Sequence, residues 1–351
     1  MQVGLYGARC DKGGLGIQTK AWYDNMKPVK TLVISTGQYA EDLGLYERCV
    51  LVKATWKRGW PEIDDSDVRA FLHGLDVVVL IESTYNPNFF KIAKSMGVKT
   101  ICIANYEWYE EWVRPDLIIA PSSWNFDRLP DPKIMITYPV DRSVCKFRLR
   151  ERALTFLHIA GHQGGYWRNG TQELIRALPL IQASNIKILI YSQEVEPYKL
   201  PAIEDPRVEI RRLEVDNYAD LYNEGDVLVY PRKYGGLSLQ VNEALSCGLP
   251  VLMSDMEPQR QWGFPPHWLL PTRPEEFEMI KQSVEIRSVS PIDLADAIDK
   301  WAEKDIKLQS QIADGLAEDI SWEHQWPKYE QALTKLFKPD TIEENDGGGE
   351  E

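Results

Sequence analysis

Three glycine-bearing segments place chemically capable side chains directly after apolar runs. In Tyr230 to Ser254, YPRKYGGLSLQVNEALSCGLPVLMS, an apolar run ends at Tyr230 and Pro231, and Gly235-Gly236 supplies backbone that a ligand can approach closely. The following segment reads as a helix that carries Glu243. A carboxylate there can accept two hydrogen bonds from the vicinal hydroxyls of a ribose, or it can cap a neighbouring turn from a buried position. In GHQGGYWRNG, 161–170, Arg168 precedes a helix starting near Thr171. A guanidinium beside a helix N-terminus suits a diphosphate, and pairing with a surface carboxylate is the structural alternative. In GARCDKGGLG, 7–16, glycines precede a helix starting near Ile17, where backbone N–H groups can meet an anion or simply close a tight turn. The spacing G-x-G-x-x-G is absent, so a nicotinamide or flavin cofactor is not indicated.

The elements that position these residues follow from hydrophobic patterning. Short apolar runs recur at Val3 to Tyr6, Thr31 to Ile34, Val50 to Val52, Val77 to Ile81, Thr100 to Ile103, Leu117 to Ala120 and Ile134 to Thr137, with helical stretches between them. A second set comprises Leu154 to Ile159, Ile186 to Tyr191, Val208 to Arg211, Val227 to Tyr230, Val251 to Ser254 and Trp268 to Leu270. Helical segments are expected at Thr171 to Ala183, Tyr218 to Glu224, Leu239 to Cys247 and Trp322 to Phe337. Continuous Val/Ile/Leu strands joined by crossovers form parallel sheets buried on both faces. The expected fold is α/β, with two doubly wound Rossmann-like domains facing across a cleft where strand ends bind ligands. The divisions are 1–140, 141–318, a helix within 319–338 that crosses back, and an acidic, glycine-rich tail at 339–351 expected to be disordered.

Bulk composition agrees. At 351 residues two domains of roughly 150 residues are natural. The net charge of −13 opposes tight binding to a nucleic-acid backbone. Five cysteines without a C-x-x-C pair argue against a disulfide framework or structural zinc, and the five histidines lack zinc-binding spacing. No run approaches the roughly eighteen apolar residues of a membrane span. A soluble, cytoplasmic protein without stable nucleic-acid or membrane binding is expected.

The run GGLSLQVNEALSCGLPVLMSD resembles the signature of the retaining GT-B glycosyltransferases of family 4. Glu243 stands at the second glutamate of that family's Glu-x7-Glu motif, and Ala244, Gly248, Pro250 and Val251 follow in register. HIAGHQGGYWRNGTQELIRALPLI resembles the family's donor-diphosphate segment, YPVDRSVCKF its interdomain linker, and ISWEHQWPKYEQAL its terminal helix. The resemblance covers roughly residues 138 to 337 and is loose over the first half. It implies transfer of a sugar from a nucleotide diphosphate sugar, with retention of configuration, as in a hexosyltransferase of class EC 2.4. Glu243 would hold the ribose. Gly14, Gly16, Arg168, Lys233, Gly235, Gly236, Leu237 and Ser238 would surround the donor.

The departures are specific. Gly235 occupies the position of the family's first glutamate, which faces the transferred sugar. The usual diphosphate-binding arginine and lysine fall near His162 and Asn169, leaving Arg168 as the best-placed cation, with Lys233 or Arg232 to offset the lost charge. In place of the family's first-domain histidine comes Asn105-Tyr106-Glu107-Trp108, so Glu107 joins Arg168 as an expected catalytic residue. No metal or cofactor is required in this scheme. Asp65-Ser66-Asp67 matches the Asp-x-Asp of metal-dependent transferases but reads as the acidic first turn of a helix. A GT-B nucleotide-sugar epimerase, or a nucleotide-sugar-binding protein without catalysis, are the alternatives. The acceptor is left open among a glycan, a protein, a small molecule and a modified DNA base.

Overall fold

A computed structural model describes residues 1–9, 13–37, 44, 46–47, 49–57, 59–82, 84–162, 165–193, 200–212, 215, 217–236, 238–275, 278–279 and 281–337. The expected tail at 339–351 and Leu237 lie outside the described residues. Two parallel sheets dominate. The first contains β1 (Val3–Ala8), β2 (Lys30–Ser35), β3 (Cys49–Lys53), β4 (Val77–Ile81), β5 (Lys99–Ile103), β6 (Leu117–Ala120) and β7 (Lys133–Met135), in the order β3-β2-β1-β4-β5-β6-β7. The second contains β8 (Thr155–His162), β9 (Lys187–Gln193), β10 (Val208–Arg211), β11 (Val227–Tyr230), β12 (Val251–Ser254) and β13 (Leu269–Leu270), in the order β10-β9-β8-β11-β12-β13. In each, the direction of winding reverses once, between β1 and β4 and between β8 and β11. Loops on the two sides of such a switch diverge and leave a crevice at the carboxyl ends of the strands.

The central strands are buried along their whole length, as VVVLI in β4 and VLVY in β11 require. Sequence patterning therefore finds each strand to within a few residues. Helices deviate more. The segment expected to be helical over Thr171 to Ala183 is α-helical only over Thr171–Ala177 and then tightens into a 3-10 turn, Leu178–Leu180. Pro179 has no N–H for the carbonyl four residues back, and this ends the α-helical ladder. Tyr218–Tyr222 is likewise a 3-10 helix, with the Asn217 side chain accepting from the Ala219 N–H.

The helix Trp322–Lys335 packs on the first sheet rather than the second. Ser321 caps it, accepting from the His324 N–H, while Trp322 and Tyr329 meet Trp22 edge-on at 5.6 and 4.7 Å. Burying such large aromatic surfaces contributes several kcal/mol and ties the end of the chain to its beginning. Among the described residues no helix is long and apolar enough to cross a membrane.

Candidate functional site

The segment after β11 is shaped by glycine. Gly170 has φ +76, and a Cβ there would sit 2.1 Å from the Pro231 carbonyl oxygen, so the turns after β8 and β11 pack backbone against backbone. Gly236 faces the first domain: its Cβ would lie 3.0 Å from the Trp124 ring and 3.3 Å from the Ser122 hydroxyl. Gly14 approaches from the same side, 3.7 Å from the Leu239 side chain. The helix Gly14–Met26 begins three residues before the expected start near Ile17, so Gly14 and Gly16 lie in its first turn. The first N–H groups of a helix have no partner within it, so that turn offers backbone donors beyond its own ladder.

Glu243 lies on the helix Leu239–Ser246, turned inward and buried. Tyr222 donates its phenolic hydrogen to Glu243 Oε2 at 2.6 Å, and Arg150 holds the Tyr222 carbonyl at 3.0 Å. Burial pushes the Glu243 carboxyl up to about 7, against the lowering effect of the Tyr222 hydrogen bond.

Across the cleft, Arg168 and Glu107 meet, with Nη1 and Oε1 3.9 Å apart. Arg168 belongs to a short helix, Gly165–Arg168, and its guanidinium lies 5.7 Å from the Tyr234 ring centroid. Glu107 is buried in the 3-10 turn Tyr106–Trp108. Glu107 Oε2, Arg168 Nε and Asn105 Oδ1 are buried without a hydrogen-bond partner among the described residues. Each such atom costs about 1–3 kcal/mol, so their clustering marks a place built for polar contacts. The sequence did not suggest Glu82, which stands at the end of β4 with φ +66 and accepts from Asn105 Nδ2 at 2.6 Å. Burial pushes its carboxyl up to about 7. A charged residue closing an apolar run at the switch of the first sheet was the available signal.

Two expectations need correction. Lys233 is not an available cation: it is buried, its Nζ 3.0 Å from Glu173 Oε1 and 3.4 Å from Glu275 Oε2, and it lies over the Trp167 ring at 4.9 Å. Its charge is compensated within the fold. Ser238 is turned away from the helix end it precedes and makes no side-chain cap; its hydroxyl accepts from Arg232 Nη1 at 2.8 Å. Arg232 itself is buried and bonds Tyr230 Oη at 2.9 Å and the Tyr234 carbonyl at 2.6 Å. Gly235 has φ +126, and a Cβ on it would lie 2.1 Å from Arg232 Nη2. Asn169 is used structurally, donating to the Ile159 and Ala160 carbonyls. Asp65 opens the helix Asp65–Leu72 and accepts from Asn86 and Asn88, and among the described residues no cluster of His, Cys, Asp or Glu could hold a metal ion. A cavity of about 360 Å³ is lined by Trp124, which also abuts Gly236, together with Arg128, Met256, Glu257, Arg260 and Arg287.

Residues 155–278 match the family model described as Glycosyl transferases group 1. The match covers about a third of the chain, within the second parallel sheet and its helices. The fold of the chain is GT-B, and the likeness to solved structures extends over both sheets. Sucrose-phosphate synthase from Thermosynechococcus elongatus superposes with a TM-score of 0.64 at 13% identity, covering 95% of this chain and 98% of that one. Anabaena HepE, solved with UDP and glucose, gives 0.69 at 11% identity, covering 96% and 100%. A glycosyltransferase from Rickettsia africae gives 0.66 at 10% identity, covering 96% and 98%. No curated protein sequence matches. The matched residues contain the turn after β8, Arg168, the Gly235-Gly236 segment and Glu243.

Proposed function

We propose that this chain is a glycosyltransferase that transfers a hexose from a nucleotide diphosphate sugar to an acceptor, with retention of configuration and without a metal. The observation that carries this reading is Glu243, buried on the helix after the Gly235-Gly236 turn and fixed by Tyr222 at 2.6 Å. A carboxylate so placed is suited to accept hydrogen bonds from both hydroxyls of a ribose. The diphosphate would lie against Arg168 and the backbone at Gly235 and Gly236, facing the first turn at Gly14 and Gly16. These groups stabilise the departing diphosphate electrostatically, the task a metal performs elsewhere. Glu107 would contact the transferred sugar. In the reaction the bond from the sugar's anomeric carbon to the diphosphate oxygen breaks with its electron pair. The acceptor oxygen bonds that carbon on the same face, and its proton leaves with the diphosphate. Closure of the two domains excludes water. The reaction belongs in the cytoplasm, where nucleotide sugars are available.

UDP is the first nucleotide to test, since HepE was solved with UDP. Calorimetric titration of the protein with UDP, and measurement of UDP release from UDP-sugars, examine binding and turnover separately. Glu243→Ala should weaken UDP binding by roughly ten- to a hundred-fold, the value of one or two charged hydrogen bonds. An unchanged affinity would show that the ribose is held elsewhere. Binding without release from any sugar nucleotide would favour the reading as a binding protein, for which Arg232 beneath Gly235 is the specific observation.

A further inference from the structure

We infer that Glu82 orients the attacking hydroxyl group, by accepting its hydrogen bond at the carboxyl end of β4, and that Asn105 positions Glu82 for this. The inference rests on the glycosyltransferase reading and adds to it a residue of the first domain outside the donor-binding set.

The argument begins with the backbone. Glu82 has φ +66, a conformation that L-residues with a Cβ adopt at a cost and glycine adopts freely. Strand ends of this kind are commonly occupied by glycine, so a glutamate here keeps a side chain at a backbone position that disfavours one. Its N–H remains tied to the Ile103 carbonyl at 3.0 Å, and Asn105 Nδ2 reaches its Oε2 at 2.6 Å, so both the backbone and the carboxylate are held. The other atom of the Asn105 amide, Oδ1, is buried without a partner, as are Glu107 Oε2 and Arg168 Nε. One unpaired acceptor from Asn105, which bonds Glu82, and one acceptor from Glu107 and one donor from Arg168, both of which act electrostatically on Glu82, therefore belong to this part of the cleft. A hydroxyl is the group that can donate to one oxygen and accept from a guanidinium at once.

Charge fits the same assignment. Glu82 is faced by Glu107 on the adjacent turn, by Arg168 from the second domain, by Arg9 after β1 and by the Cys102 thiol on β5. Two carboxylates against two guanidiniums leave this part of the cleft without strong net charge, which favours a neutral hydroxyl over an anion. The carboxyl, pushed up to about 7 mainly by burial, is a charged acceptor, and so the stronger one, only above that pH. Glu82 takes no covalent part: it holds the hydroxyl through its single proton before reaction, and as the oxygen bonds the anomeric carbon that proton shifts from Glu82 to the departing diphosphate oxygen.

Water can serve as the attacking hydroxyl, so the test needs no identified acceptor. UDP release from UDP-glucose is followed for the parent, Glu82→Gln and Glu82→Gly between pH 5.5 and 8.5, with UDP affinity and melting temperature measured alongside. The inference expects turnover to fall roughly ten- to a hundred-fold in both variants while UDP affinity is unchanged. It also expects the fall in parent turnover below about pH 7 to disappear in Glu82→Gln, and Glu82→Gly to melt no lower than the parent because the backbone strain is relieved. Glu243 titrates in the same range but acts on donor affinity, so its pH dependence stays in the UDP titration. Parent-like turnover with a parent-like pH profile in Glu82→Gln would overturn the inference and leave the donor-site reading standing. A Glu82→Gly protein that melts well below the parent would overturn it in favour of a structural role. Failure of the parent itself to bind UDP or release it from UDP-glucose would overturn the inference together with the UDP-sugar reading on which it rests.

Discussion

Placing a methyl group on Gly235 should unseat Arg232, and the size of the effect can be worked from the structure. The Cβ of Gly235→Ala would lie 2.1 Å from Arg232 Nη2, 2.8 Å from Cζ and 3.0 Å from Nε, so one of the two must move. A guanidinium at the end of a flexible chain ordinarily moves at little cost. This one is held at Tyr230, Tyr234 and Ser238 by hydrogen bonds of 2.6 to 2.9 Å and is buried, so moving it breaks bonds that no solvent replaces. Each bond to a charged group contributes roughly 1.5–3 kcal/mol, and the backbone at φ +126 adds roughly 1–3 kcal/mol of strain for any residue with a Cβ. Losing one such bond alongside the strain gives a destabilisation of roughly 2.5–6 kcal/mol, a large part of the whole stability of many domains. The matched control is Gly37→Ala, where φ is +68 and no atom of the described residues lies within 4 Å of the added Cβ, so among them only backbone strain of about 1 kcal/mol applies. Scanning calorimetry of both variants should show Gly235→Ala melting about 10 °C or more below the parent and Gly37→Ala within a few degrees of it. If the two variants melt together, Arg232 is not anchored, and the reason given for a glycine at this position fails.

Glu243→Gln tests the buried carboxyl through pH. In the folded protein the group stays protonated up to about 7, in the unfolded chain only to its ordinary 4.5, so folding takes up a proton between these values and stability falls as pH rises through that window. Glutamine removes the loss: at pH 8.5 it should stabilise the ligand-free protein by up to roughly 3 kcal/mol, at about 1.4 kcal/mol per pH unit, and at pH 4.5 it should be neutral. A stability difference that does not depend on pH, measured by urea denaturation, would contradict the assignment. Lys233→Met removes one partner of a buried ion pair and should cost roughly 3–5 kcal/mol, most of it recovered in the double variant Lys233→Met/Glu173→Gln. Thermal melts decide between this and a diphosphate-binding role, in which the double variant would regain no stability and UDP affinity would drop instead.

The fold was legible because its signals are local. Runs such as VVVLI at β4 and VLVY at β11 are continuous, β-branched and flanked by turn residues, and each run became a strand within a few residues of its expected limits. The position of Glu243 was legible too, since the interval from the glycines after a strand to an acid in the next helix lies within one short segment. What the sequence could not reveal was pairing across long separations. Lys233 reads as an available cation beside the glycines, yet it is matched by Glu173, sixty positions earlier, and by Glu275, which lies on the strand Thr272–Pro274's exit. Arg168 and Glu107 were each expected in the cleft, but nothing in their segments showed that they face one another. Glu82 went unnoticed because its significance comes from φ +66 and from Asn105, neither of which periodicity expresses.

Gly235 shows how one residue can be legible for one reason and informative for another. Its place eight positions before Glu243 marks the loss of a carboxylate, and read alone this suggests a vacant corner in the donor site. The structure fills that corner with a guanidinium, held by its own neighbours and reachable only because position 235 has no side chain. The absence of a side chain at 235 and the placement of the Arg232 guanidinium are therefore sterically coupled. A negative charge reintroduced at 235 alone would meet Arg232 at sub-contact distance on a backbone that disfavours any Cβ, so the two positions have to be varied together to alter how this corner of the cleft meets a sugar.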